Sequence, residues 1–128
     1  MKIENIKFKA KRLDNGEWIE GEISHFETTI WIVPIDHKPF HSGCAEVDSD
    51  TICMFTGQKD CDGKEIWEGD MLSNVTNDSP DGIVVFKYGA FCLLAKNGRD
   101  FCVALTYLLS ENDSLNRFKV IGDKFDKK

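Results

Sequence analysis

The chain has 128 residues, 41% apolar and 30% charged, a balance that suits one folded domain, or a domain with a small appendage, rather than a disordered chain. Its 22 acidic against 16 basic residues give a net charge of −6, which argues against broad binding to a phosphate backbone and favours solubility. No apolar run reaches the roughly 18 residues of a membrane span, and Met1 to Asn5 lacks the apolar core of a secretory signal, so five cysteines without a C-x-x-C pair are expected as free thiols in a cytoplasmic protein.

In chain order, Ile6 to Leu13 alternates, with Ile6, Phe8 and Ala10 on one side and Lys7, Lys9 and Lys11 on the other, the period of a half-buried strand. Asp14-Asn15-Gly16 is a strong hairpin turn. Glu17 to Phe26 returns, Thr28 to Val33 is β-branched and aromatic, and Pro34 closes it because proline cannot donate to a ladder. Three antiparallel strands in a meander are predicted. The basic row Lys7, Lys9, Lys11 and Arg12 reads as a solvated strand face paired across the hairpin with Glu17, Glu20 and Glu22.

Asp36 to Asp50 is the least regular region. It contains His37, His41 and Cys44, a ligand-capable set for zinc, but without the paired cysteines of structural zinc sites a loop is the expectation. Trp31 and Phe40 are the aromatic candidates for contact with a partner.

Thr51 to Leu72 organises the rest. Thr51 to Thr56 reads as a strand covered on both faces and ended by Gly57. Asp60-Cys61-Asp62-Gly63 is a turn, since Asp bonds its own backbone two residues on and Gly accepts positive φ. Ile66 and Trp67 bring apolar bulk, Gly69-Asp70 turns again, and Met71-Leu72 begins a strand. Asp60, Asp62, Lys64 and Glu68 imitate calcium-loop spacing, but Lys64 stands where an oxygen ligand belongs, Glu65 where glycine belongs and Met71 where the bidentate Glu belongs.

Asn74 to Gly82 is a predicted long hairpin connection, followed by strands at Ile83 to Tyr88 and Phe91 to Lys96. Asn97-Gly98 is a two-residue hairpin turn that sets Cys102 opposite Leu93, with a strand over Phe101 to Ala104. Leu105 to Ser110 is a candidate helical turn and Phe118 to Gly122 the last strand. The phosphate-loop, H-E-x-x-H, Cys-His and Ser-His signatures are missing, so neither an enzyme nor a cofactor is expected.

The run from Val47 to Leu72 closely resembles the YopX family of small phage and prophage proteins, whose pattern is acidic-Thr-aliphatic, aromatic-Thr-Gly, then Asp-x-Asn/Asp-Gly-Lys-x-Ile-aromatic-Glu-Gly-Asp. Thr56, Gly57, Asp60, Gly63, Ile66, Trp67, Glu68, Gly69 and Asp70 carry the match, without a gap. Trp18 to Gly21 is similar to the family's aromatic-x-x-Gly opening, and Val120 to Asp123 to its closing Val-Ile-Gly-Asn. Cys53 and Cys61 lie outside the pattern. The resemblance implies a structural role for these residues and carries over no catalytic ones.

The predicted fold is mostly β: residues 1–48 as an N-terminal antiparallel meander with an irregular loop, and residues 49–128 as a small, strongly bent SH3-like barrel with at most one or two short helical turns. Such folds host unrelated functions. The expected function is a non-enzymatic accessory protein of a phage or prophage, working by protein–protein contact in the bacterial cytoplasm and open to self-assembly. One alternative is a barrel that binds nucleic acid through Phe86, Tyr88 and Phe91, although only Lys87 lies among them, or that imitates nucleic acid with its acidic residues. Another is a metal protein built on His37, His41 and Cys44.

Overall fold

The computed structural model describes residues 5–34, 43–74, 80–87, 89–95, 102–104 and 118–125. Eleven strands follow one another: β1 (Phe8–Lys11), β2 (Trp18–Phe26), β3 (Thr29–Val33), β4 (Ala45–Glu46), β5 (Cys53–Lys59), β6 (Glu65–Trp67), β7 (Asp70–Asn74), β8 (Pro80–Lys87), β9 (Ala90–Ala95), β10 (Cys102–Ala104) and β11 (Phe118–Asp123). They form a six-stranded sheet in the order β4-β3-β2-β1-β5-β6 and a five-stranded sheet in the order β10-β9-β8-β7-β11. The protein is therefore mostly β, as its composition and alternation predict. The chain divides into two compact units between Phe55 and Thr56.

In the first unit the predicted meander is present. Phe8 to Lys11 pairs with Gly21 to Trp18, and Glu22 to Phe26 pairs with Val33 to Thr29. β2 thus changes partner between Gly21 and Glu22. A Cβ on Gly21 would lie 2.0 Å from the Val33 carbonyl oxygen, which explains why the aromatic-x-x-Gly opening ends on glycine. Ala10, Ile32 and Val47 form the buried core, with Phe8, Ile19, Ile30 and Ile52 packed on it.

Three local expectations are corrected. Thr51 is not in a strand: Ser49–Thr51 is a 3-10 turn, capped by the Asp48 side chain accepting from the Asp50 amide. The buried Thr51 hydroxyl accepts from the Lys11 amide at 2.8 Å and donates to the Asp48 carbonyl at 2.7 Å, which fixes the acidic-Thr-aliphatic pattern to β1. Gly57 does not end β5, which continues to Lys59 through a glycine at φ +84°. The irregular region after Pro34 contains the two-residue strand β4, where Trp31 faces Glu46 and Ile32 faces Ala45.

The second unit is an antiparallel meander with β11 added beside β7. Its core is Ile66, Leu72, Val84, Leu93 and Phe118. β10 and β11 stand at opposite edges of the sheet order, and among the described residues no ladder joins them into a closed barrel. The connection after β7 is shorter than predicted, because β7 runs to Asn74 and β8 starts at Pro80. Cys102 pairs with Leu94 rather than Leu93. An odd number of residues then separates the pair, which regular pairing around a two-residue turn does not give. Asn97, Gly98 and the candidate helical turn at Leu105 to Ser110 lie outside the described residues.

Candidate functional site

Two places hold the residues singled out by the sequence. The first is the motif of the second unit. Asp60 is buried, and its carboxylate collects three main-chain amides: Oδ1 accepts from Asp62 at 2.9 Å and Lys64 at 2.8 Å, and Oδ2 accepts from Val120 at 2.9 Å. The Asp60 and Lys64 backbones close the turn at 2.8 Å, with Gly63 at φ +84°. The Cys61 amide also donates to the Phe118 carbonyl at 3.1 Å. The turn therefore takes up backbone groups on the edge of β11 that faces away from β7, and this edge is capped.

The rest of the motif works the same way. Thr56 donates its hydroxyl to the Ile66 carbonyl at 2.6 Å. Ile66 and Trp67 are buried, and the buried Asp70 carboxylate accepts from the Trp67 amide at 2.7 Å. Gly69, at φ +93°, donates to the Val84 carbonyl at 2.7 Å and accepts from the Lys124 amide at 2.9 Å, while Glu68 is half-buried beside it. Asp60 makes the bond to the amide two residues on that its turn predicts, and Asp60 and Asp70 are both buried acceptors as well. The Val120 contact spans sixty positions and leaves no local signal. Partial desolvation, then the Asp62 and Asp60 carboxylates, push the Cys61 thiol above its usual range, so this surface cysteine is a weak nucleophile.

The second place is the outer face of the β2–β3 hairpin. Residues opposite one another in an antiparallel pair share a face, so Ser24 with Trp31, Phe26 with Thr29 and Glu22 with Val33 lie together, while Ile32 turns to the core. Ser24, Phe26, Trp31, Val33 and Cys44 line an open depression of about 450 Å³. Trp31 is half-buried, its indole N–H held by Thr29 Oγ1 at 2.9 Å, and Phe26 is 67% exposed. A second depression of about 330 Å³ shares Trp31 and Cys44 and adds Arg12, Leu13, Asp14 and Glu46. Leu13 is 58% exposed. Phe26 was not singled out from sequence, though an aromatic on the polar side of an alternating strand is the available signal.

The basic row is not a free cationic face. Lys9 and Lys11 lie over the Trp18 ring at 4.7 and 5.4 Å, and Lys7 lies over Phe55 at 4.8 Å with Glu20 at 3.9 Å. Arg12 is forked onto Asp14, whose carboxyl it holds below the usual carboxylate range. Cys44 is a free thiol in the depression. His37, His41 and Phe40 lie outside the described residues. Among the described residues no group of three or more His, Cys, Asp or Glu is arranged to hold a metal ion.

These features define a small all-β protein of two antiparallel sheets, with a carboxylate-locked turn motif in one unit and an open apolar depression in the other. The family profile described as YopX protein matches residues 7–127, and the chain belongs to that family. No curated protein matches the chain.

Proposed function

We propose that the protein is a non-enzymatic accessory protein of a phage or prophage, and that it works in the bacterial cytoplasm by binding another protein through the β2–β3 face around Trp31. One observation carries this reading: Phe26, Trp31 and Val33 stand together on the side of the hairpin turned away from its core, around a depression large enough for a bulky side chain. Aromatics held rigidly at the centre of a patch supply most of the energy of protein contacts. An exposed large aromatic beside such a depression is the kind of apolar surface that marks an interaction site. The finer fold reading, an SH3-like bend of the second unit's sheet, belongs to the same proposal and gives that unit the part of a scaffold.

Native mass spectrometry on protein purified from its producing cells, without added metal or chelator, tests the reading. The expected spectrum contains a second polypeptide or a further copy of the chain, lost in Phe26→Ser and in Trp31→Ala. A bound oligonucleotide or metal ion in its place, or a polypeptide retained by both variants, overturns it.

A further inference from the structure

We propose that the second depression on this face is a subsite for a basic side chain, so that the segment held there is an extended peptide with a bulky apolar residue beside a lysine or arginine. This rests on the reading of the Trp31 face as a protein-binding surface, and adds the chemistry of what it binds.

The charges around the depression decide it. Among the described residues Arg12 is the one basic residue lining it, and its guanidinium is already forked onto Asp14, with Nε to Oδ1 at 2.9 Å and Nη2 to Oδ2 at 2.8 Å. These two charges cancel locally. Glu46 remains. It stands directly opposite Trp31 in the β3–β4 ladder, its main chain fixed by the Leu13 amide donating to its carbonyl at 3.1 Å. Glu22 lies on the same face, opposite Val33. Among the described residues no basic side chain pairs with Glu46 or Glu22. An arriving segment therefore meets the apolar depression around Phe26, Trp31 and Val33 beside a carboxylate that has no ion-pair partner among the described residues. A cation satisfies it, whereas an acidic segment is repelled.

Trp31 strengthens the preference. A cation that reaches Glu46 passes the indole that both depressions share, where ring and carboxylate attract it together. The chain already uses this chemistry internally, with Lys9 and Lys11 over Trp18. The depressions are adjacent. An extended segment presents alternate side chains to one side at intervals of roughly 6–7 Å, so an apolar residue in the first and a basic residue two positions away in the second is the natural fit.

A random dodecapeptide display library panned against the full chain tests this, with wild type, Glu46→Lys, Trp31→Ala and Phe26→Ser as parallel baits. Wild type is expected to enrich peptides with a bulky apolar residue near Lys or Arg, the basic residue favoured about fivefold over the input. Glu46→Lys reverses that preference towards Asp and Glu and keeps the apolar position. Trp31→Ala and the exposed-site variant Phe26→Ser lose the consensus. Apolar peptides with no charge preference, unchanged by Glu46→Lys, overturn the basic subsite and leave the binding face standing. A wild-type selection without a consensus, or one that both Trp31→Ala and Phe26→Ser retain, overturns the face and the subsite together.

Discussion

Removing the Asp60 carboxylate is the sharpest test of how the second unit is held. Its two oxygens serve three amides, and the Val120 amide belongs to a strand sixty residues away. Hydrogen bonds to a charged acceptor contribute about 1.5–3 kcal/mol each, and a buried donor left unpaired loses most of that. In Asp60→Ala the Asp62 and Lys64 amides sit in an exposed turn and regain water, so each loses only about 0.5 kcal/mol, while Val120 loses about 2 kcal/mol. The expected total is about 3 kcal/mol. At a urea dependence of about 1.5 kcal/mol per molar, the midpoint falls by about 2 M.

Asp60→Asn separates the two halves of the node. The amide oxygen can keep the Asp62 and Lys64 bonds, but the amide nitrogen then faces the Val120 N–H, donor against donor. About 2 kcal/mol is expected, nearly all at the Val120 end. Equilibrium urea unfolding, followed by Trp67 fluorescence with Trp18 and Trp31 changed to Phe, reads the second unit alone. Hydrogen exchange at the Val120 amide reads the bond itself. An Asp60→Ala midpoint within the error of wild type, or unchanged Val120 protection in either variant, refutes the account.

Gly21→Ala places a Cβ 2.0 Å from the Val33 carbonyl oxygen, a backbone atom that cannot rotate away, so a loss of about 3 kcal/mol in urea unfolding of the first unit is expected. Glu27 holds φ +56° in the two-residue turn between Phe26 and Thr29, and Glu27→Gly relieves about 1–2 kcal/mol of left-handed strain against about 0.5–1 kcal/mol of added chain entropy, for a small net rise in the melting temperature. Cys61 should alkylate slowly at pH 8 for a surface thiol, because its pKa lies above its ordinary 9.0 and little thiolate forms; the rate should climb through a midpoint above that value, and Asp62→Asn should shift the profile to lower pH.

Much of this fold is visible in short-range chemistry. Alternation in Ile6 to Leu13, the turn at Asp14 to Gly16 and the glycine at position 63 each act over a few residues, and each is found where the pattern puts it. Failures occur where a distant partner decides. Thr51 reads as a strand residue by propensity, but its hydroxyl is drawn to the Lys11 amide and the Asp48 carbonyl, and the chain turns there. Gly57 reads as a stop, yet the strand passes through it at positive φ. Asp60 and Asp70 read only as turn residues, because composition cannot show that the Val120 and Trp67 amides will also meet their carboxylates. The depression around Trp31 was half legible: the tryptophan stands out, but its neighbours Ser24 and Cys44 depend on ladder register.

The motif that identifies the family and the face proposed to bind are separate sets of residues, and this separation has a physical basis. Thr56, Asp60, Gly69 and Asp70 are each consumed by a main-chain partner, and Ile66 and Trp67 by burial. A side chain whose acceptors are already occupied has nothing left to offer a ligand. Changing such a residue exposes unpaired amides and lowers stability, so loss of binding in those variants would report unfolding rather than contact. Phe26 is in the opposite position. It is 67% exposed and outside the described core clusters, and truncating it removes little from the fold. A partner lost in Phe26→Ser, while urea unfolding of the same variant stays at the wild-type midpoint, would assign that contact to the β2–β3 face and leave the motif its structural role.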